Sequence, residues 1–167
     1  EIRQEIKRIQ QETQITTIYV THDQEDAFLL ANKLAVMNAG FVEQLGRPEE
    51  IYSSPQSLFV ASFVGESNII KVKIVVRNKV STPWGEVICN TKDREREHAF
   101  LFFRPHHTKI EKDGLCDGVI KSRDFIGDGY KYHISAYGEE IKLHDQEIYE
   151  VGQPIRFSIK KMEILFL

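Results

Sequence analysis

At 167 residues, 41% of them hydrophobic and 28% charged, the chain has the composition of an ordinary globular protein with one large or two small domains. A formal net charge of -3 argues against general nucleic-acid binding, which shows as a strongly basic face. No apolar run approaches the roughly 20 residues that span a bilayer, and no secretory leader is seen, so membrane association is expected only through a partner.

The only two cysteines, Cys89 and Cys116, have no close-spaced metal-ligand partners and are expected as reduced thiols of a cytosolic protein. There is no initiator Met, and Glu1 already lies in a helical pattern. The chain is expected to be cut from a longer one.

Residues 1–14 place Ile2, Ile6 and Ile9 at i, i+4 and i+7, which predicts a one-sided surface helix packed on a sheet. The β-branched run 15–21 then predicts a buried strand of a parallel α/β unit, with Ile18 and Val20 on one face and Thr17, Tyr19 and Thr21 on the other. In open parallel sheets the ligand crevice lies at the carboxyl ends of the strands. The run ends at His22, which therefore sits where a ligand would.

Asp23, Glu25 and Asp26 load the following turn with negative charge, as a helix N-terminus favours, and they would repel a phosphate placed there. Ala27, Leu30, Ala31 and Leu34 continue a buried stripe. Two short strands, 34–38 and 41–45, are expected around Asn38-Ala39-Gly40, with Gly40 at positive φ. Pro48 opens a helix with Glu49 and Glu50 behind it; Ser54-Pro55 ends that helix and begins another, in which Phe59 and Phe63 are one turn apart and Gly65 is the exit.

From Ile69 the period changes to two: Ile70, Val72, Ile74 and Val76 alternate with Lys71 and Lys73. Strands are predicted at 86–89, 99–103, 119–126, 130–136, 141–143 and 155–159, separated by frequent turns, which argues a small barrel or sandwich. The sign-alternating run 92–98 reads as a solvated hairpin loop. His106-His107, taken as strand neighbours, would point to opposite faces and is read as structural rather than as a metal site.

Thr21-His22-Asp23-Gln24, with Ala27 in the next turn, resembles the switch-histidine loop of ABC-transporter ATPase subunits. The resemblance continues through the AVMNAG and EQLG segments, and through PEEIYSSPQSLFVASFVGESN, which is similar to the connector of importer-type ATPases. Phe103-Arg104-Pro105-His106, Gly118-Val119-Ile120, Phe125-Ile126-Gly127 and Gly152-Gln153-Pro154-Ile155 resemble, in that order, the transporter-associated OB domain. It covers essentially the whole chain, with a slight lean at Gly65-Glu66-Ser67-Asn68 toward polyamine, ferric-iron and related importers.

The resemblance implies an α+β chain: an α/β remnant of the ATPase domain at 1–66 and an all-β OB-like regulatory barrel at 67–167. It also implies that His22 is a catalytic residue reaching the γ-phosphate in the intact subunit. That subunit would use ATP and Mg, pair with a second ATPase subunit as a homodimer with contacts between the β domains, and dock on transmembrane permease subunits. It would serve a solute-binding protein indirectly, on the cytoplasmic face of the membrane.

The sequence contains no G-x-x-x-x-G-K-[ST] phosphate loop, no Ser-Gly-Gly signature and no strand ending in Asp-Glu. The fragment alone is therefore expected to bind no cofactor and to be inactive. The competing reading is a stand-alone regulatory or small-ligand module, with Lys71, Lys73, Arg104 and Arg123 as sources of charge. Base stacking on Tyr130 and Tyr132 beside Lys131 is disfavoured by the acidic balance.

Overall fold

A computed structural model of the chain describes residues 2–91 and 99–166; the expected hairpin loop at 92–98 lies outside them. The chain forms two compact units, Glu1–Gly65 and Glu66–Leu167.

The first unit holds α1 (Ile2–Thr13), α2 (Gln24–Leu30), β1 (Leu34–Asn38), β2 (Phe41–Gly46), α3 (Pro48–Ser53) and α4 (Leu58–Phe63). Gly40, at φ 85°, and Ala39, at φ 48°, make the tight turn that pairs β1 with β2 antiparallel. Ser57 caps α4 by accepting from Val60 N–H at 3.2 Å. Val36, Ile51, Val60 and Val64 form its small core, with Phe28, Leu34, Tyr52 and Phe59 packed around it. Gln44, buried in β2, fixes the link between α3 and α4: it donates to Ser54 O at 3.2 Å and accepts from Gln56 N–H at 2.9 Å.

Two expectations fail here. Residues 15–21 form no strand; they carry no regular secondary structure, with Ile18 and Val20 each 90% exposed. A strand exists only where a neighbouring ladder takes its N–H and C=O groups, and among the described residues none pairs with this run. For the same reason α1 has no sheet beneath it and buries none of its residues.

The second unit is built of β3 (Asn68–Val76), β4 (Lys79–Thr82), β5 (Gly85–Ile88), β6 (Ala99–Phe103), a 3-10 turn (Pro105–His107), β7 (Thr108–Ile110), β8 (Cys116–Phe125), β9 (Tyr130–Ala136), β10 (Glu139–Asp145), β11 (Pro154–Ile159) and β12 (Glu163–Leu165). Two five-stranded antiparallel sheets result, in the orders β10-β9-β8-β11-β7 and β12-β6-β3-β4-β5. Alternation buries Ile70 and Val72 while Lys71 and Lys73 stay in water. Inward residues of both sheets, among them Leu101, Phe103, Ile134, Leu143 and Phe157, close one shared core.

Asn68 joins the two sheets as a side-chain imitation of a ladder pair, donating to Lys142 O and accepting from Lys142 N–H, both at 2.8 Å. Gly114 is obligatory by space, because a Cβ there would lie 2.4 Å from the backbone N of Phe157. His106-His107 sits on the 3-10 turn and not on a strand. The opposite-faces premise therefore fails: the two rings meet edge-on with centroids 4.4 Å apart.

Candidate functional site

The candidate site is the turn that carries His22, and three local contacts shape it. Thr21 Oγ1 accepts from Asp23 N–H at 2.9 Å, folding the chain back across His22. Asp23 then caps α2 through Glu25 N–H at 2.8 Å and Asp26 N–H at 3.3 Å. These amide bonds, with Arg3 and His22 nearby, hold the Asp23 carboxyl below the usual carboxylate range. His22 is left at the apex, exposed and without a side-chain hydrogen bond among the described residues.

The acidic start of α2 is not free. Arg3 of α1 pairs with Asp23 at 3.2 Å, Glu25 at 3.0 Å and Asp26, and Tyr19 donates to Asp26 at 3.3 Å. The arrangement keeps negative charge beside His22 partly neutralised. Gln24 does different work: it donates to Phe63 O and accepts from Gly65 N–H at 3.0 Å, tying the turn to the end of α4. Its partners lie 39 and 41 residues further along the chain, so no local pattern in the sequence announces these contacts.

Beside the turn opens an apolar cavity of about 730 Å³, lined among others by Ile6, Ile18, Val20, Phe28 and Phe63. His22 is among its lining residues, and none of those residues belongs to a glycine-rich phosphate loop. Among the described residues no three His, Cys, Asp or Glu side chains group as metal ligands. One exposed imidazole cannot by itself hold a nucleotide, whose affinity comes from backbone N–H groups, a Lys and the metal.

The other candidate residues are placed apart in the second unit. Arg104 is fully buried and donates to Glu66 O at 3.0 Å. Arg123 donates to Tyr149 O at 3.1 Å, and Lys71 and Lys73 lie exposed on β3. Tyr132, 0% exposed, donates to Glu147 O at 2.7 Å and accepts from Tyr149 N–H at 3.1 Å, so it is not a stacking platform. Cys89 and Cys116 are free and buried; burial raises both thiols, Cys116 to about 11, which leaves them unreactive. No helix among the described residues is long and apolar enough to cross a membrane.

No protein-family model matches the chain. Individual proteins do. The chain is 35% identical over 167 residues to the spermidine/putrescine import ATP-binding protein PotA of Borrelia garinii subsp. bavariensis, a match covering 98% of this chain and 48% of that one. The protein of the same name from Clostridium novyi is 35% identical over 162 residues, covering 95% and 47%. That of Onion yellows phytoplasma is 32% identical over 169 residues, covering 98% and 40%. The chain thus spans about half the length of the curated relatives it matches, and the matched half is their C-terminal part.

Proposed function

We propose that this chain, homologous to the C-terminal part of polyamine-import ATP-binding subunits, is the segment of such a subunit that carries the switch histidine and an OB-like regulatory β domain. Residues 1–66 are the end of the ATPase domain and residues 67–167 the β domain. The observation that carries the reading is the match itself, which runs over 98% of the chain through both units. Two features of the first unit support it: a β-branched run that pairs with no strand among the described residues, and an apolar cavity beside it.

In the intact subunit His22 is catalytic, an exposed imidazole able to donate to a phosphate oxygen. The Thr21 and Asp23 contacts hold the turn that presents it. Bound Mg-ATP would supply the phosphoryl group; the phosphate loop and metal ligands come from outside these residues. The subunit works as a homodimer on transmembrane permease subunits at the cytoplasmic face, driving import of a solute of the polyamine class that a binding protein delivers.

The test is a hybrid in which the N-terminal half of the Clostridium novyi relative precedes Glu1. His22→Ala is expected to slow its ATP hydrolysis about 100-fold, the scale of losing one preorganised donor, while nucleotide binding changes little. Near-normal turnover would assign His22 to structure. The 167-residue chain alone should give no saturable heat with Mg-ATP in calorimetry; a micromolar dissociation constant would favour a self-contained module instead.

A further inference from the structure

The bonds made by Thr21 and Asp23 give the His22 turn its shape, but all of them close within four residues of His22. They cannot fix where the turn stands in the unit. Placement takes a tie to a distant element, and two side chains at opposite ends of such ties meet the start of α2. Arg3 comes from α1, a helix that buries none of its residues, and its ion pairs with Asp23 and Glu25 are part-exposed. Ties of that kind hold little.

Gln24, the first residue of α2, reaches the other way. Its amide donates to Phe63 O and accepts from Gly65 N–H at 3.0 Å. Phe63 ends α4, and the last carbonyls of a helix have no partner within it, so the Gln24 amide supplies one. The end of α4 is a firm post, because Val60 and Val64 are buried in the core of the unit. The rest of α2 is seated by Phe28, whose ring meets Tyr52 edge-on with centroids 5.9 Å apart. Phe28 holds the helix; Gln24 fixes the direction of its start, two residues from His22.

The two bonds demand an amide in one orientation, since Phe63 O needs the N–H donor and Gly65 N–H needs the oxygen. A carboxylate serves only the second. Gln24 is also exposed, so shortening it opens no cavity.

We propose, resting on the reading of His22 as catalytic, that Gln24 is a positioning residue: by lashing the start of α2 to the end of α4, it holds His22 where a phosphate oxygen can be met. Gln24 touches no substrate and acts through His22. Phosphoryl transfer depends on placement of this kind, and a displacement of about 1 Å can be costly.

One test uses the 167-residue chain and another the hybrid described above. In the chain, NMR relaxation should give the His22 backbone amide an order parameter near about 0.8, falling below about 0.6 in Q24A while the amides of Ile51 and Val60 stay rigid. In the hybrid, Q24A is expected to lower kcat for ATP hydrolysis about 10-fold with KM changed less than about 2-fold, as for a misplaced group and not for lost binding. Q24E should lower kcat alike. In the H22A background Q24A should lower kcat no further, because nothing is left to position.

An unchanged order parameter in Q24A overturns the proposal, and so does an undiminished loss from Q24A in the H22A background. A normal loss in H22A with none in Q24A sinks the proposal alone, whereas near-normal turnover in H22A sinks the reading of His22 and the proposal with it. If the hybrid hydrolyses no ATP, the relaxation measurement decides. Should Q24A fail to fold, Q24M, which keeps the length of the side chain without its amide, replaces it in both tests.

Discussion

The two units use similar apolar residues to different effect. In Glu66–Leu167 each alternating strand meets a second sheet, and Leu101, Ile134, Leu143 and Phe157 reach 0% exposure in one core. In Glu1–Gly65 the run 15–21 is as β-branched as any of those strands, yet Ile15 is 62% exposed and Ile18 and Val20 are 90% exposed. Propensity alone did not make a strand. A strand is stabilised by cross-strand pairs and by burial of a face; β1 and β2 find both within the first unit, whereas the run 15–21 finds neither among the described residues.

Substitutions in the two units should therefore differ most where the core is complete. Phe157→Ala is expected to cost about 4 kcal/mol, the usual scale for a fully buried Phe, read as a lower urea midpoint by the fluorescence of Trp84, the chain's single tryptophan, which packs on the same core. Ile18→Ala should move unfolding by less than about 0.5 kcal/mol. Equal effects would break the contrast between the units.

Asn68→Ala removes both side-chain bonds that join β3 to β10 and leaves the Lys142 peptide group unpaired. A loss of about 2 kcal/mol is expected on the same readout, from a buried acceptor and donor left without partners. In the first unit, Ser57→Ala deletes the cap on α4 and should cost about 1 kcal/mol, measured by helical circular dichroism on heating.

The smallest effect on folding should accompany a clear effect on association. Ile18→Ser with Val20→Ser exchanges two exposed apolar side chains for polar ones, which is expected to lower concentration-dependent light scattering of the full chain and to leave the melting curve of its helical circular dichroism in place. If scattering is unchanged while the curve shifts, those residues are structural after all.

Much of the candidate site was legible. Thr21, His22 and Asp23 are adjacent, and the acidic start of the helix is read from composition alone; that Asp23 sits before the helix as its cap and not within its first turn is a finding of the structure. Gln24 was not legible, because its bonds to Phe63 and Gly65 join positions that only the fold brings together. Three short strands, β4, β7 and β12, also escaped the period-two reading; at four, three and three residues they are too short to show a period. The glycine turn at Gly40, the start of α3 at Pro48 and the exit at Gly65 are legible, since these residues act through their own backbone angles; the start of α4 is not, because it lies at Leu58 under a Ser57 cap and not at Ser54-Pro55.

By itself the sequence determined the local pieces: helix starts, turns, and the alternation that sends Ile70 and Val72 inward and Lys71 and Lys73 outward. These follow from backbone stereochemistry and from the partition of side chains between water and core, which act over a few residues. Tertiary structure decided whether a run became a strand, as at 15–21, and whether a charged side chain became buried, as at Arg104. It also set the rings of His106 and His107 edge-on against one another on a 3-10 turn. Ladder pairing and burial depend on groups far apart in the chain, and their partners exist only once the two sheets have closed on one another.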